Sequence, residues 1–253
     1  MTEPLLNSFG EPAPPFKWSF SQWETYSKCP QKWKFQSIMK LPRAPSGPAA
    51  ARGTEMHSRV DQYITRRINS LDPDPNLKFG DKPAAKIDSQ YIPMLDEYRD
   101  HPNGDVYAEK KLAFDSDWQV CGPKSPFAAC VAVLDAARYV KPHATSYGLL
   151  HVGEWKSGTP KDSHADQRKL YAMFGMRNWH ADEVQVTTYY LEGTAPPART
   201  TVKSAAGFNT LKELWEGRVI MMQKDTILAP KPSLECNWCD YAKKRGGPCQ
   251  FGS

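Results

Sequence analysis

No stretch of the 253 residues approaches the roughly 18 consecutive apolar residues of a membrane-spanning helix. The N-terminus lacks the basic-then-apolar pattern of a secretory leader. The two absences predict a cytoplasmic protein with no membrane partner. No G-x4-G-K-[ST] phosphate loop is present, so the chain carries no nucleotide-driven motor of that kind. There is no internal repeat, which excludes a solenoid. Strong charge of one sign is also missing. The 33 Lys and Arg against 28 Asp and Glu give +5 and a pI near 8.8, which permits an anionic partner without specifying one. Cysteine is sparse, at six residues. In a reducing compartment these are thiols or metal ligands rather than disulfides.

A 40% hydrophobic content supports a sizeable core. Residues 1–17 (ending EPAPPFK) predict a poorly ordered arm, and 18–253 a single domain. Ser21 and Glu24 fit a capping box for a first helix, which Pro30 interrupts beside Cys29. A helix is predicted from about Ala49 to Ile68, with Met56, Val60, Tyr63 and Ile64 as its buried stripe. A shorter one is predicted over Ser89–Arg99. Val106–Phe114 reads as a strand, and Trp118–Cys121 as a short second one. CVAVLDAARYV and YGLLHVGEWK read as two long strands, followed by a helix over about Ser163–Trp179. Val184–Leu191 is a further strand, Gly193–Ala206 a loop, and Phe208–Leu228 a helix. The order predicts an α/β fold: a mixed central sheet flanked by helices, with a cysteine-rich tail over 230–253.

The chemistry concentrates on the two long strands. Asp135 and Glu154 each interrupt an apolar strand. Glu154 and Lys156 are two apart, so they point to one face while Trp155 points to the other. The plain alternative is a salt-bridged ladder on a wet sheet. Two carboxylates held close raise each other's pKa unless a cation neutralises them. Hard oxygen ligands suit one or two Mg or Mn ions, which support phosphodiester hydrolysis. Gln167 and Tyr171 lie one turn apart on the following helix and share a face. His57 follows Gly53 by one turn, and glycine allows another backbone to come close. Cys236-x2-Cys239 can chelate one soft metal, with Cys249 ten residues on. Cys121 and Cys130 read as buried, inert thiols. Basic residues (Lys40, Arg43, Arg52, Lys161, Arg168, Lys169, Lys243, Lys244 and Arg245) could flank a groove for phosphates. Trp18, Trp23 and Trp33 are either core or stacking platforms for unpaired bases.

The pieces SFSQWETYSKCPQKWKF, RGTEMH, the strand containing LDA, EWKSGT and QRKLYA resemble, in that order, the PD-(D/E)XK nuclease superfamily, specifically its RecB-like branch. The resemblance covers roughly residues 18–249. It implies a restriction-endonuclease-like fold and a metal-dependent deoxyribonuclease, foremost an exonuclease serving recombination, repair or DNA end processing. It implies a metal held by His57, Asp135, Glu154 and the backbone carbonyl of Trp155, with Lys156 as the catalytic lysine and Gln167 and Tyr171 as the Q-x3-Y pair. Glu109, on the first long strand, falls where many members carry an acid; it reads as structural or supporting rather than as a ligand.

Among iron–sulfur members of the branch, such as AddB-type nucleases and the CRISPR adaptation nuclease, one upstream cysteine joins three near the C-terminus. The resemblance therefore implies a [4Fe–4S] cluster on Cys29, Cys236, Cys239 and Cys249, tying the first helix to the tail. The gap DYAKKRGGP before Cys249 is longer than usual in those members, and zinc or a site without metal remains open. Arg52, Lys161 and Arg168 are the expected DNA contacts. By analogy the chain resembles stand-alone phage-type exonucleases, which would act in the host cytoplasm on single strands or DNA ends. A single-strand-binding protein or an annealing recombinase is the partner such analogy suggests. A DNA-binding module without catalysis is the competing reading.

Overall fold

The computed structural model describes residues 15–45, 47–100, 105–142, 148–193 and 195–251. Most of the arm expected over residues 1–17 lies outside them. The helices are α1 (Phe20–Lys28), α2 (Pro30–Trp33), α3 (Pro48–Ile64), α4 (Ile92–Arg99), α5 (Ser163–Trp179) and α6 (Ser204–Lys224). The strands are β1 (Lys78–Phe79), β2 (Lys82–Pro83), β3 (Val106–Phe114), β4 (Val120–Cys121), β5 (Cys130–Val140), β6 (Leu149–Lys156), β7 (Glu183–Tyr190) and β8 (Ala198–Lys203). Six strands form one mixed sheet in the order β4-β3-β5-β6-β7-β8. β6 and β7 run parallel and the other neighbouring pairs antiparallel. This is the mixed α/β sheet flanked by helices that the sequence predicts. Among the described residues no helix is long and apolar enough to cross a membrane.

One face of the sheet packs on α5 and α6 through Leu134, Leu150, Val152, Phe174 and Trp215. The other packs on α3 and α4 through Met56, Val60, Leu95, Ala136 and Trp155. The stripe read on α3 is therefore its core face. That helix ends at Ile64, four residues before expectation. Arg66 takes a left-handed backbone, with φ 59°. Its N–H bonds the Tyr63 carbonyl, and the Arg67 N–H reaches back to Gln62. This stop usually carries glycine, so its arginine concealed it.

Three further expectations change. The cap of α1 is Ser19, whose Oγ accepts from the Gln22 N–H at 3.4 Å. Glu24 is not part of a capping box; it accepts from Ser163 Oγ on α5 at 2.7 Å. The segment expected as a loop over Gly193–Ala206 contains β8, which pairs with β7 from Thr188↔Ala198 to Glu183↔Lys203. Consequently α6 starts at Ser204, directly after that strand, rather than at Phe208. It ends at Lys224, where the Asp225 carboxylate accepts from the N–H groups of Ile227 and Leu228.

Pro30 divides the first helix as expected. Cys29 closes α1 and caps α2, its Sγ accepting from the Lys32 N–H at 3.4 Å.

Candidate active site

The site forms where β5 parts from both neighbours. Along β3 and β5 the pairing is continuous except at Glu109 opposite Asp135. There Glu109 adopts φ 47°, a left-handed conformation that costs a non-glycine residue about 1 kcal/mol or more. The kink reverses the phase of both strands. Leu112, Phe114, Ala132 and Leu134 face α5, but beyond the kink Ala108 and Ala136 face α3 and α4. On its other side β5 pairs with β6 only as far as Ala136↔Gly153. Past that point Asp135 Oδ2 accepts the Trp155 N–H at 2.7 Å. A side chain thus replaces a ladder carbonyl, and the strands open around the acids.

α3 closes the opening from above. A Cβ on Gly53 would lie 2.9 Å from Ser157 Oγ, so glycine lets α3 rest on the end of β6. One turn on, His57 Nδ1 lies 3.6 Å from Asp135 Oδ1. His57, Glu109 and Asp135 each offer a ligand atom, all within 4.8 Å of one another. Glu109, read from sequence as supporting, thus stands beside His57 and Asp135, two of the four expected ligand positions. Only its backbone kink brings it there, and no residue pattern advertised that.

Glu154 projects from β6 toward α5, with 3% of its surface exposed. Its Oε1 accepts from Lys156 Nζ at 2.5 Å and from Gln167 Nε2 at 2.8 Å. The Gln167 amide also donates to Tyr171 Oη at 2.9 Å. Glu154, Lys156, Gln167 and Tyr171 are therefore one hydrogen-bonded array. Glu154 Oε2 is buried with no partner, an orphan acceptor that costs stability unless something positive meets it. Burial pushes the Glu154 carboxyl up to about 8, and the Asp135 charge pushes the same way, against Lys156. Burial and Asp135 likewise raise Glu109. Burial disfavours the charged form of His57, but hydrogen bonding and attraction to Asp135 outweigh it and raise the pKa. Lys156 is also held above its ordinary value: burial opposes its charge, and Glu154 more than compensates. Burial, then Glu154, lifts the Tyr171 phenol well above its ordinary value, so it stays protonated.

Crowded carboxylates with raised pKa values, an orphan oxygen and a neighbouring imidazole fit a hard divalent cation. His57, Glu109 and Asp135 have the spacing to hold it; Glu154, expected as a further ligand, lies outside that group.

The expected DNA contacts divide. Lys161 is exposed. Arg52 is ion-paired to Glu192 and donates to the Pro83 carbonyl. Arg168 is buried, and donates to Thr200 and Thr188 across β7 and β8. Both guanidinium groups are thus engaged within the fold. The proposed stacking tryptophans are also internal: Trp18 and Trp33 are buried, and Trp23 packs against the core.

The four expected cluster cysteines, Cys29, Cys236, Cys239 and Cys249, line one cavity between α1 and the tail. The Ser233 N–H points at Cys236 Sγ at 3.4 Å, and Cys249 Sγ lies 3.3 Å from Gln31 Oε1. Tyr241 donates to the Leu41 carbonyl and packs on Phe35, which docks the tail on the segment after α2. Cys130 is buried and its thiol is pushed up by burial, while Cys121 is half-buried; neither joins the cavity.

The family model of the PD-(D/E)XK nuclease superfamily matches residues 17–243. The chain belongs to that superfamily and is a nuclease by descent. Two solved structures show a weak similarity to the chain. One is the crystal structure of SSO0001, at 12% identity and TM-score 0.43, covering 94% of this chain and 87% of that one. The other is a Eubacterium rectale protein described as a "putative exonuclease", at 12% identity and TM-score 0.42, covering 88% and 86%. No curated protein matches the chain.

Proposed function

We propose that the chain is a divalent-metal-dependent deoxyribonuclease, acting as an exonuclease on DNA ends or single strands during recombination, repair or end processing. The observation that carries this is the buried, unpartnered Glu154 Oε2 beside the His57–Glu109–Asp135 group. Glu55, in an ordinary ion pair with Arg59, also leaves an orphan oxygen, so what counts here is the orphan's place next to a three-residue group with ligand spacing. Mg or Mn, bound there as one or two ions, would polarise the scissile phosphate and acidify a water.

The chain's own groups divide the remaining work. Gln167 and Lys156 both donate to Glu154 Oε1, which fixes that carboxylate and leaves Oε2 without a protein partner. Lys156 retains further N–H donors to orient the attacking water and to offset charge on the phosphate. Tyr171 braces Gln167 from behind. Exposed Lys161, just beyond β6, is available to a phosphate of the strand.

At the second centre we propose a [4Fe–4S] cluster on Cys29, Cys236, Cys239 and Cys249, serving as a structural staple. All four thiols line one cavity, and backbone N–H groups already point at two of the sulfurs. The cytoplasm, of a phage host if the chain is phage-borne, and a single-strand-binding or annealing partner complete the reading by analogy.

The test is a digestion of 5′- and 3′-labelled single- and double-stranded DNA with Mg or Mn, with the parent beside Lys156→Ala. The parent should release labelled mononucleotides or short products from one end, and the variant should not. A parent that binds DNA but never cuts it would favour a binding module instead.

A further inference from the structure

Seven of the eight tryptophans are buried or half-buried, but Trp238 is 69% exposed. It occupies the 3-10 turn Leu234–Trp238, between Cys236 and Cys239, and Leu234 on the same turn is 81% exposed. A large apolar ring held in water on a short turn serves neither the core nor the cysteine cavity.

Its surroundings are basic. Residues 24–43 and 230–251, the two segments that form the cysteine lobe, hold nine Lys and Arg against three acids; the rest of the chain holds 24 against 25. The lobe alone therefore accounts for the chain's positive charge. Lys243, Lys244 and Arg245 follow on an exposed 3-10 turn. Lys244 Nζ donates to Asn237 Oδ1 at 2.9 Å, next to the indole.

The lobe is also joined to the active site by a short relay. Glu235, on the tryptophan's own turn, pairs with Lys28 at 3.7 Å. Lys28 pairs with Glu24 at 3.6 Å, and Glu24 accepts from Ser163, at the start of α5 just beyond Lys156. The turn therefore belongs to the side of the molecule on which β6 ends.

We infer that Trp238 with Lys243 and Lys244 forms a stacking platform for an unpaired base, which makes a single strand of DNA the form of substrate this nuclease holds. An exposed indole can accept only a base face that is not already stacked in a duplex, and neighbouring ammonium groups meet the phosphates on either side. Charge complementarity separates this occupant from a protein partner: a purely hydrophobic docking patch would gain nothing from the concentration of lysine around it. The inference rests on the nuclease reading for its biological sense but not for its measurement.

The experiment is fluorescence anisotropy in EDTA, with a 5′-labelled oligothymidylate of about 20 nucleotides and a blunt duplex of equal length. Parent, Trp238→Ala, Trp238→Phe and the Lys243→Glu/Lys244→Glu double variant are compared across a salt series. The parent should prefer the single strand. Trp238→Ala should lose about tenfold or more in affinity, as for one stacked base, while Trp238→Phe keeps most of it. The lysine variant should bind more weakly, with a salt slope shallower by roughly 0.7 for each lysine.

Should Trp238→Ala fail to fold, the other two variants decide. Equal binding by all variants, or a parent preference for duplex, overturns the proposal. So does a parent that ignores both DNAs and instead self-associates through this patch in sedimentation, an association lost in Trp238→Ala. Cleavage has no part in this readout. A chain that binds strands through Trp238 yet never cuts them would sink the nuclease reading and leave the platform standing. One that cuts but is indifferent to Trp238 would do the reverse.

Discussion

The sheet site and the cysteine lobe handle awkward polar groups in opposite ways. At the sheet, backbone geometry sets the positions: a left-handed Glu109, a ladder that stops at Ala136↔Gly153, and a Trp155 N–H turned onto Asp135. Every acid there sits on a long strand with a core behind it. The lobe has short helical turns and exposed side chains, and its four cysteines line one cavity. Its apolar support is thin, consisting mainly of Tyr26, Trp33, Met222 and Leu228 with Phe35 against Tyr241. The contrast teaches that the first centre is preorganised by the fold, so that a metal bound there would serve chemistry. On the proposed reading, a group bound at the second would instead hold the fold together. Loss of the first should leave a stable, inert protein; loss of the second should leave a loosened one.

The largest effect that can break this contrast is on rate. Lys156→Ala should lower cleavage by at least about a hundredfold, the usual cost of one preorganised donor in the transition state. Its melting temperature should stay near the parent's. A large loss of stability without metal would mean that the array is structural. Next comes the lobe: Cys239→Ser should lower the melting temperature by roughly 10 °C, since about 2–4 °C accompanies each kcal/mol in a chain of this size. Cleavage per folded molecule should fall far less than in Lys156→Ala. Unchanged melting together with unchanged visible absorbance would remove the staple.

A smaller effect tests the kinked acid. Glu109→Gln should weaken Mn affinity by about tenfold in calorimetry, within the range for altered ligand surroundings. Unaltered affinity would return Glu109 to a purely structural role.

The smallest effect is in pH. Glu154 is held up to about 8 against an ordinary 4.5, so the folded metal-free protein binds a proton that the unfolded chain gives up. That stabilisation is complete below pH 4.5 and is lost as pH rises toward 8. Metal-free melting should therefore decline from pH 6 to 8, while Mn, which competes with that proton, stabilises more at pH 8 than at pH 6. Differential scanning fluorimetry at the two pH values checks the sign.

The same contrast explains what could be read from sequence. Strands β3, β5 and β6 were legible because apolar runs mark buried strands. Periodicity put Glu154 with Lys156 on one strand face and Gln167 with Tyr171 on one helix face; that the four belong together was implied by the family resemblance. Strand β8 was not legible: it lies at the sheet edge, and only Val202 among its residues is buried, so ARTTVK carries little hydrophobic signal. Glu109 was placed on its strand but not at the ligand group, because a positive φ at glutamate reverses the phase that alternation predicts. Arg168, expected to contact DNA, is engaged inside the fold. The hydroxyls that engage it belong to Thr188 and Thr200, neighbours only once β7 and β8 pair. Trp238 carries no signal in the sequence beyond its place between two cysteines, and only its exposure sets it apart.

The most direct measurement takes one preparation stripped of divalent ions with EDTA, then resupplied with Mn. Cleavage of end-labelled DNA and visible absorbance are followed together. Stripping should abolish cleavage and Mn should restore it, while the absorbance of the iron–sulfur group stays constant throughout. Cleavage by the stripped protein, or cleavage that rises and falls with the absorbance rather than with Mn, would contradict the separation of the two centres.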